Sequence, residues 1–114
     1  MKNSLAKMLI LGMLEIDDEP LNLILSEAII NEDNWEYITE PYKTCIITKK
    51  DLQESISELI ELKMVELLNE TGDKIDYSNL KEILDSNTEW VYWFRITEIG
   101  KNFFDEHYTK FFAE

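Results

Sequence analysis

The chain reads as a small α+β domain, and three observations predict that class. A capped amphipathic helix passes directly into a strand between Thr48 and Leu68. A second strand, Trp90 to Ile96, alternates large side chains and runs straight into a capped aromatic helix. Three glycines and two prolines in 114 residues leave few turns and no flexible linker, which favours helices joined by short connections over a many-stranded sandwich. With 45% hydrophobic and 11% aromatic residues, a chain of this length is expected to form one domain, 1–114, around one core.

Ser4 reads as the N-cap of a first helix, LAKMLILGMLEI, in which only Lys7 and Glu15 interrupt the apolar residues with charge. A helix apolar on every side must be buried on every side. Its cover has to come from elsewhere in the chain or from a second copy. The acidic link Asp17-Asp18-Glu19 leads to Pro20, which suits the first position of a second helix because its missing N–H is unsatisfied there in any residue. Leu21, Ile24, Leu25 and Ala28 form that helix's stripe, ending near Asn31. From Glu32 to Ile47 the periodicity weakens into aromatic and β-branched pieces that fit a small hairpin, broken at Glu40-Pro41 because a residue before proline avoids the helical region.

Thr48 then caps the central helix, with Asp51 three positions on at the positive end of the helix dipole. Leu52, Ile56, Leu59, Ile60 and the stem of Lys63 fall on one arc at about 100° per residue, with Glu54, Ser57, Glu58 and Glu61 opposite. The following MVELL returns as a short strand. Residues 69–89 form a long loop that opens with the turn NETGDKID and holds a short helix capped by Ser78, with Leu80, Ile83 and Leu84 inward. In WVYWFRIT, Trp90, Tyr92, Phe94 and Ile96 share one face while Val91, Trp93 and Arg95 share the other. Thr97 caps the last helix, within 97–112, whose stripe is Ile99, Phe103, Phe104, Tyr108, Phe111 and Phe112.

Twenty-four acids against eleven basic residues give a net charge of −13, which steers the protein towards basic partners and away from phosphate. Between Glu15 and Glu40 stand nine acids (Glu15, Asp17, Asp18, Glu19, Glu27, Glu32, Asp33, Glu36 and Glu40) and no lysine or arginine. The segment is either a solvated face that confers solubility or a face that docks something cationic. The longest apolar run, Met8 to Leu14, is far short of the roughly 20 residues that span a bilayer, and it lacks a signal-peptide cleavage site. Cys45 stands alone and makes no internal disulfide, so a reducing cytoplasm is the expected home.

Two pieces of the chain resemble the winged helix-turn-helix superfamily. ELIELKMVEL, Glu58 to Leu67, resembles the junction where the third helix of that fold runs into the first wing strand. FRITEIGKNFF, Phe94 to Phe104, resembles the second wing strand turning into a C-terminal helix through an Ile-Thr-x-x-Gly sequence. The resemblance covers roughly Asp18 to Phe104. It implies a winged-helix-like α+β fold, with a three-helix core, a small antiparallel wing sheet and an added C-terminal helix. It also implies a DNA-binding transcriptional regulator, for which Lys43, Lys49, Lys50 and the wing would supply the contacts.

The chain departs from that pattern twice. The insertion 32–47 replaces the tight turn between the second and third helices. The side of the third helix that enters the major groove in DNA-binding relatives carries Glu54, Ser57, Glu58 and Glu61, carboxylates that would face phosphates. Charge therefore favours a protein-interaction module with a basic partner, an acidic mimic of nucleic acid being one form of it.

Chemistry-bearing motifs are few. His107 and Cys45 cannot build a zinc site, and His107 reads as a helix-surface residue. Asp17-Asp18-Glu19 and the Asp73/Asp76 pair lack the alternating oxygen spacing of a calcium loop and read as turn and cap residues. No glycine-rich phosphate cradle occurs, so the sequence calls for no enzyme activity, cofactor or metal. The candidate partner-binding residues are Trp93, Val91 and Arg95 on the wing with Glu54, Glu58 and Glu61 on the central helix, exposed tryptophan and arginine being common interface anchors. Either Trp93 is such an anchor, or the NLKEIL segment or the last helix covers it. Phe104, Tyr108, Phe111 and Phe112 either pack on the bare side of the first helix or meet a second copy in a homodimer.

Overall fold

In a computed structural model of the chain, residues 2–20, 23–24, 38, 47–69, 71–74 and 92–112 are described. In order along the chain, these comprise α1 (Lys2–Ile16), β1 (Glu19–Pro20), α2 (Lys49–Glu61), β2 (Val65–Leu68), β3 (Trp93–Ile96) and α3 (Glu98–Phe111). The class is α+β, these three helices standing with a sheet that, among the described residues, is three-stranded and antiparallel in the order β1-β3-β2, an arrangement compatible with a winged-helix-like fold.

The near-absence of charge in α1 makes it the centre of the core. Leu5, Ala6, Met8, Ile10, Leu11 and Leu14 are buried, and Leu9 and Met13 pack partly buried against them. Each such side chain taken fully from water contributes roughly 1.5–3 kcal/mol for those of leucine size. The cover comes from the chain itself: α2 and β3 lie against α1, and α3 closes over it. At Gly12 the backbone is bare enough for the Phe104 ring to lie on the helix; a Cβ there would sit 3.3 Å from Phe104 Cε2. Ser4 is not the N-cap, since α1 begins two residues earlier and Ser4 is an exposed first-turn residue, where backbone amides have no intrahelical acceptor to lose.

Pro20 does not start a helix. It lies in β1, paired with Trp93, while Glu19 pairs with Phe94. A proline is tolerated there because β1 is an edge strand, where one N–H fewer leaves no ladder partner unmatched. Leu23 and Ile24 are helical, with Ile24 buried; the rest of the expected second helix lies outside the described residues, as do most of the insertion 32–47 and the short helix expected at Ser78. Ile38 is buried and bridges antiparallel to Phe112, and Ile47 is buried, so these two residues of the insertion are tied into the core.

The central helix is capped reciprocally. Asp51 N donates to Thr48 Oγ1 (3.2 Å), and Thr48 N and Oγ1 both donate to Asp51 Oδ2 (2.9 Å each). Aspartate thus closes a capping box in the place where glutamate is usual. Leu52, Ile56, Leu59 and Ile60 are buried as their spacing requires. Lys63 does not share that arc, because the helix has already stopped. It takes the left-handed conformation (φ 62°) while its N–H donates to Ile60 O and the Met64 N–H to Leu59 O. This Schellman-type stop uses a lysine where glycine is commonest. It turns the chain into β2 at once.

Strand β3 alternates as its sequence requires. Phe94 and Ile96 are buried, facing Leu67 and Val65 across the ladder, and Arg95 is exposed. Thr97 then caps α3 through Gly100 N (3.2 Å) and is itself held to the turn after α2, donating from Oγ1 to Lys63 O (2.7 Å) and from N to Met64 O (2.9 Å). Gly100 passes so close to that turn that a Cβ would stand 2.3 Å from Met64 O. The Ile-Thr-x-x-Gly sequence therefore has a local physical role, fastening α3 against the α2–β2 junction.

Phe104 and Phe111 are buried, and Phe103, Tyr108 and Phe112 pack partly buried against the core. Ile99 is an exception to the expected stripe. At 54% exposure it faces water, because it lies about 100° round the helix from the Gly100–Phe104–Phe111 line.

Candidate partner-binding site

The outer face of the sheet is built in two cross-strand rows. Nearer α3, Arg95 pairs with Glu66, its Nε (3.1 Å) and Nη2 (2.7 Å) both donating to Glu66 Oε2. Lys74 approaches the other oxygen of the same carboxylate at 3.9 Å. The bond to Glu66 holds the Arg95 proton still more firmly than usual. Arg95 is thus exposed but already clamped, and its charge is balanced within the chain.

In the second row Trp93 lies between Pro20 of β1 and Leu68 of β2. Pro20 and Leu68 are buried and Trp93 is half-buried, a small apolar cluster on the side of the sheet away from Phe94. Beside it opens a cleft of about 350 Å³, lined by Asp17, Asp18, Leu68, Asn69, Thr71, Gly72 and Trp93. Its walls come from three separate segments. One is the link after α1, where Asp17 Oδ1 accepts from Asp18 N (2.9 Å). The second is the turn after β2, where Asn69 Oδ1 accepts from Thr71 N, Thr71 Oγ1 and Asp73 N, at 3.0, 2.7 and 3.0 Å. Gly72, at φ 87°, supplies the conformation that the turn needs. The third is β3, which contributes Trp93 itself.

The remaining predicted positions are distributed elsewhere. Glu54 and Glu61 are exposed on the outer side of α2, and half-buried Glu58 forms an ion pair with Lys7 of α1. The structure does not bring these carboxylates into the Trp93 cleft. Lys49 and Lys50 are exposed at the start of α2; Lys43 and Val91 lie outside the described residues. Of the residues expected to form a dimer surface, Phe104 and Phe111 are used inside the chain, while Tyr108 and Phe112 retain partial exposure. His107 sits half-buried on α3, its ring centroid 4.4 Å from that of Phe103. Asp73 serves the turn, accepting from Thr71 Oγ1 (3.0 Å), and Asp76 is outside the described residues.

Sequence reasoning did not assemble Asp17, Asp18, Asn69 and Thr71 around Trp93. The available signal was indirect: an acidic link without a counter-charge, and a turn rich in Asn, Thr, Gly and Asp. Among the described residues, no group of three or more His, Cys, Asp or Glu side chains is placed to hold a metal ion, and no helix is long and apolar enough to cross a membrane. Comparison of the chain with protein-family models, curated proteins and solved structures finds no match.

Proposed function

We propose that this is an acidic, winged-helix-like interaction module of the cytoplasm that binds a basic protein through the outer side of α2 and the Trp93 side of the wing sheet. One observation carries the reading: Glu54 and Glu61 stand exposed on the helix face that would otherwise meet nucleic acid. Glu58, on the same side, is only partly offset by Lys7. A duplex presents one negative charge per about 1.7 Å of its axis, and non-specific affinity for it is nearly all phosphate neutralisation. Lys49 and Lys50 at one end of α2 are too few to offset a chain of net charge −13. Phe104 and Phe111, buried against their own chain, favour a foreign partner over a second copy.

The test compares two ligands. At about 0.15 M salt, a gel shift with random duplex DNA is expected to show no complex at low-micromolar protein. In a pull-down from source lysate, wild type is expected to retain basic proteins that a Glu54→Lys/Glu61→Lys variant releases. A low-micromolar DNA complex with a steep salt slope would overturn the reading in favour of a DNA-binding regulator.

A further inference from the structure

Among its described lining residues, the Trp93 cleft has an aromatic side chain, two carboxylates and no cation. Arg95, on the same sheet face, is bound to Glu66 through both Nε and Nη2, and Asp18 attracts it only at longer range. No ion pair among the described residues uses Asp17 or Asp18, and Asp17 is oriented by the bond it accepts from Asp18 N. We propose that this cleft seats one arginine side chain of a basic peptide, its guanidinium stacked on Trp93 and its charge met by Asp17 and Asp18.

Charge and shape choose this occupant. An aromatic face attracts a cation, and a planar guanidinium also stacks on it and donates to carboxylates in a fixed fork, which an ammonium cannot do. The volume, about 350 Å³, lies at the low end of ligand sites, which run from roughly 300 to 1,000 Å³, and accommodates one long side chain with its water. A phosphate or an acidic peptide would meet Asp17 and Asp18 with no cation among the described lining residues to compensate. The polar side chains of Asn69 and Thr71 also line the cleft, but their bonds within the turn fix its shape.

The proposal rests on the basic-partner reading and names its contact point. It is tested by titrating the protein with acetyl-Arg₃-amide, following the amides of Asp18, Thr71 and Gly72 and the Trp93 indole N–H by NMR, with acetyl-Lys₃-amide and acetyl-citrulline₃-amide in parallel. Saturable shifts at these positions are expected with the arginine peptide, at least threefold weaker binding with the lysine peptide and none with citrulline. Asp17→Asn/Asp18→Asn should weaken binding at least tenfold, whereas Glu98→Gln/Glu106→Gln, which removes the same charge from exposed positions of α3, should change it less than twofold. Trp93→Phe keeps a ring in place and should weaken binding several-fold without unfolding the protein. Equal losses in the two double variants would overturn the cleft as the contact point and leave attraction by overall charge. Equal binding of the lysine peptide would overturn the choice of arginine. If the arginine peptide produces no shifts while wild type still retains basic proteins in the pull-down, the cleft assignment fails and the broader reading stands; if that retention is absent as well, both fail.

Discussion

Replacing Gly100 by alanine tests how α3 is fastened to the rest of the molecule. The new Cβ would lie 2.3 Å from Met64 O, 2.8 Å from Ile96 Cγ1 and 3.1 Å from the Met64 carbonyl carbon. Two of these neighbours are backbone, so no side-chain rotation relieves the contact, and the helix must move out by about an ångström. Overpacking of this kind costs about 1–3 kcal/mol. The same displacement stretches the bonds from Thr97 to Lys63 O and Met64 O, each contributing about 0.5–1.5 kcal/mol. Against this stands the higher helix propensity of alanine, about 1 kcal/mol.

The net loss is about 1–5 kcal/mol, centred near 3, or a fall in Tm of roughly 10 °C for a domain of this length. Gly12→Ala provides the control. Its Cβ would meet only the edge of the Phe104 ring at 3.3 Å, and a small ring shift offset by the propensity gain predicts a change within about 1 kcal/mol. Urea unfolding followed by circular dichroism measures both. A Gly100→Ala protein as stable as wild type would refute the close approach and the fastening role assigned to the Ile-Thr-x-x-Gly sequence.

Phe94→Ala should cost about 3–5 kcal/mol, as loss of a fully buried ring does, and Trp93→Ala clearly less; equal losses in urea unfolding would mean that the two faces of β3 are misassigned. The Ser55 hydroxyl is buried in α2 without a hydrogen-bond partner among the described residues, so Ser55→Ala should raise stability by about 1 kcal/mol, and a loss of that size would contradict the orphan hydroxyl. Burial, followed by the neighbouring Asp105, raises the Glu15 carboxyl above its ordinary value, with Lys101 acting weakly the other way. The folded state then holds this proton more tightly than the unfolded state, so stability falls as pH rises from the ordinary glutamate range through the raised value. Glu15→Gln should accordingly raise Tm slightly at pH 7 and leave it unchanged near pH 4, and a variant less stable at pH 7 would contradict the sign.

Where a local signal was complete, the sequence was sufficient. Thr48 with Asp51, the Thr97 cap, the α2 stripe from Leu52 to Ile60 and the alternation of Trp93 to Ile96 each depend on neighbours a few positions away, and these appear in the structure, although β3 leaves out Tyr92 and Lys63 leaves the stripe. The burial of α1 was legible because a charge-poor helix has only one physical outcome; which element would cover it was left open between α3 and a second copy. Three features were not legible. A two-residue strand has no periodicity, so the proline that fits an edge strand also fitted a helix start. Lys63 concealed a helix stop that glycine would have announced. The cleft at Trp93 joins residues from positions 17 to 93, and no local spacing encodes such a junction.

The packing of α3 on α1 has a consequence for synthesis. Gly12 and Phe104 touch in the finished fold but are separated by about ninety positions, so the ring that covers Gly12 is made late. At a ribosomal speed of roughly 5–20 residues per second, α1 waits several seconds or more for its final cover. Throughout that interval Leu5, Met8, Leu11 and their neighbours lack the cover that α3 supplies, while earlier residues of the same core, α2 and β3 among them, can already reach them. Closure of this core is a late, long-range event, and the nascent chain is most vulnerable to aggregation just before its last helix arrives.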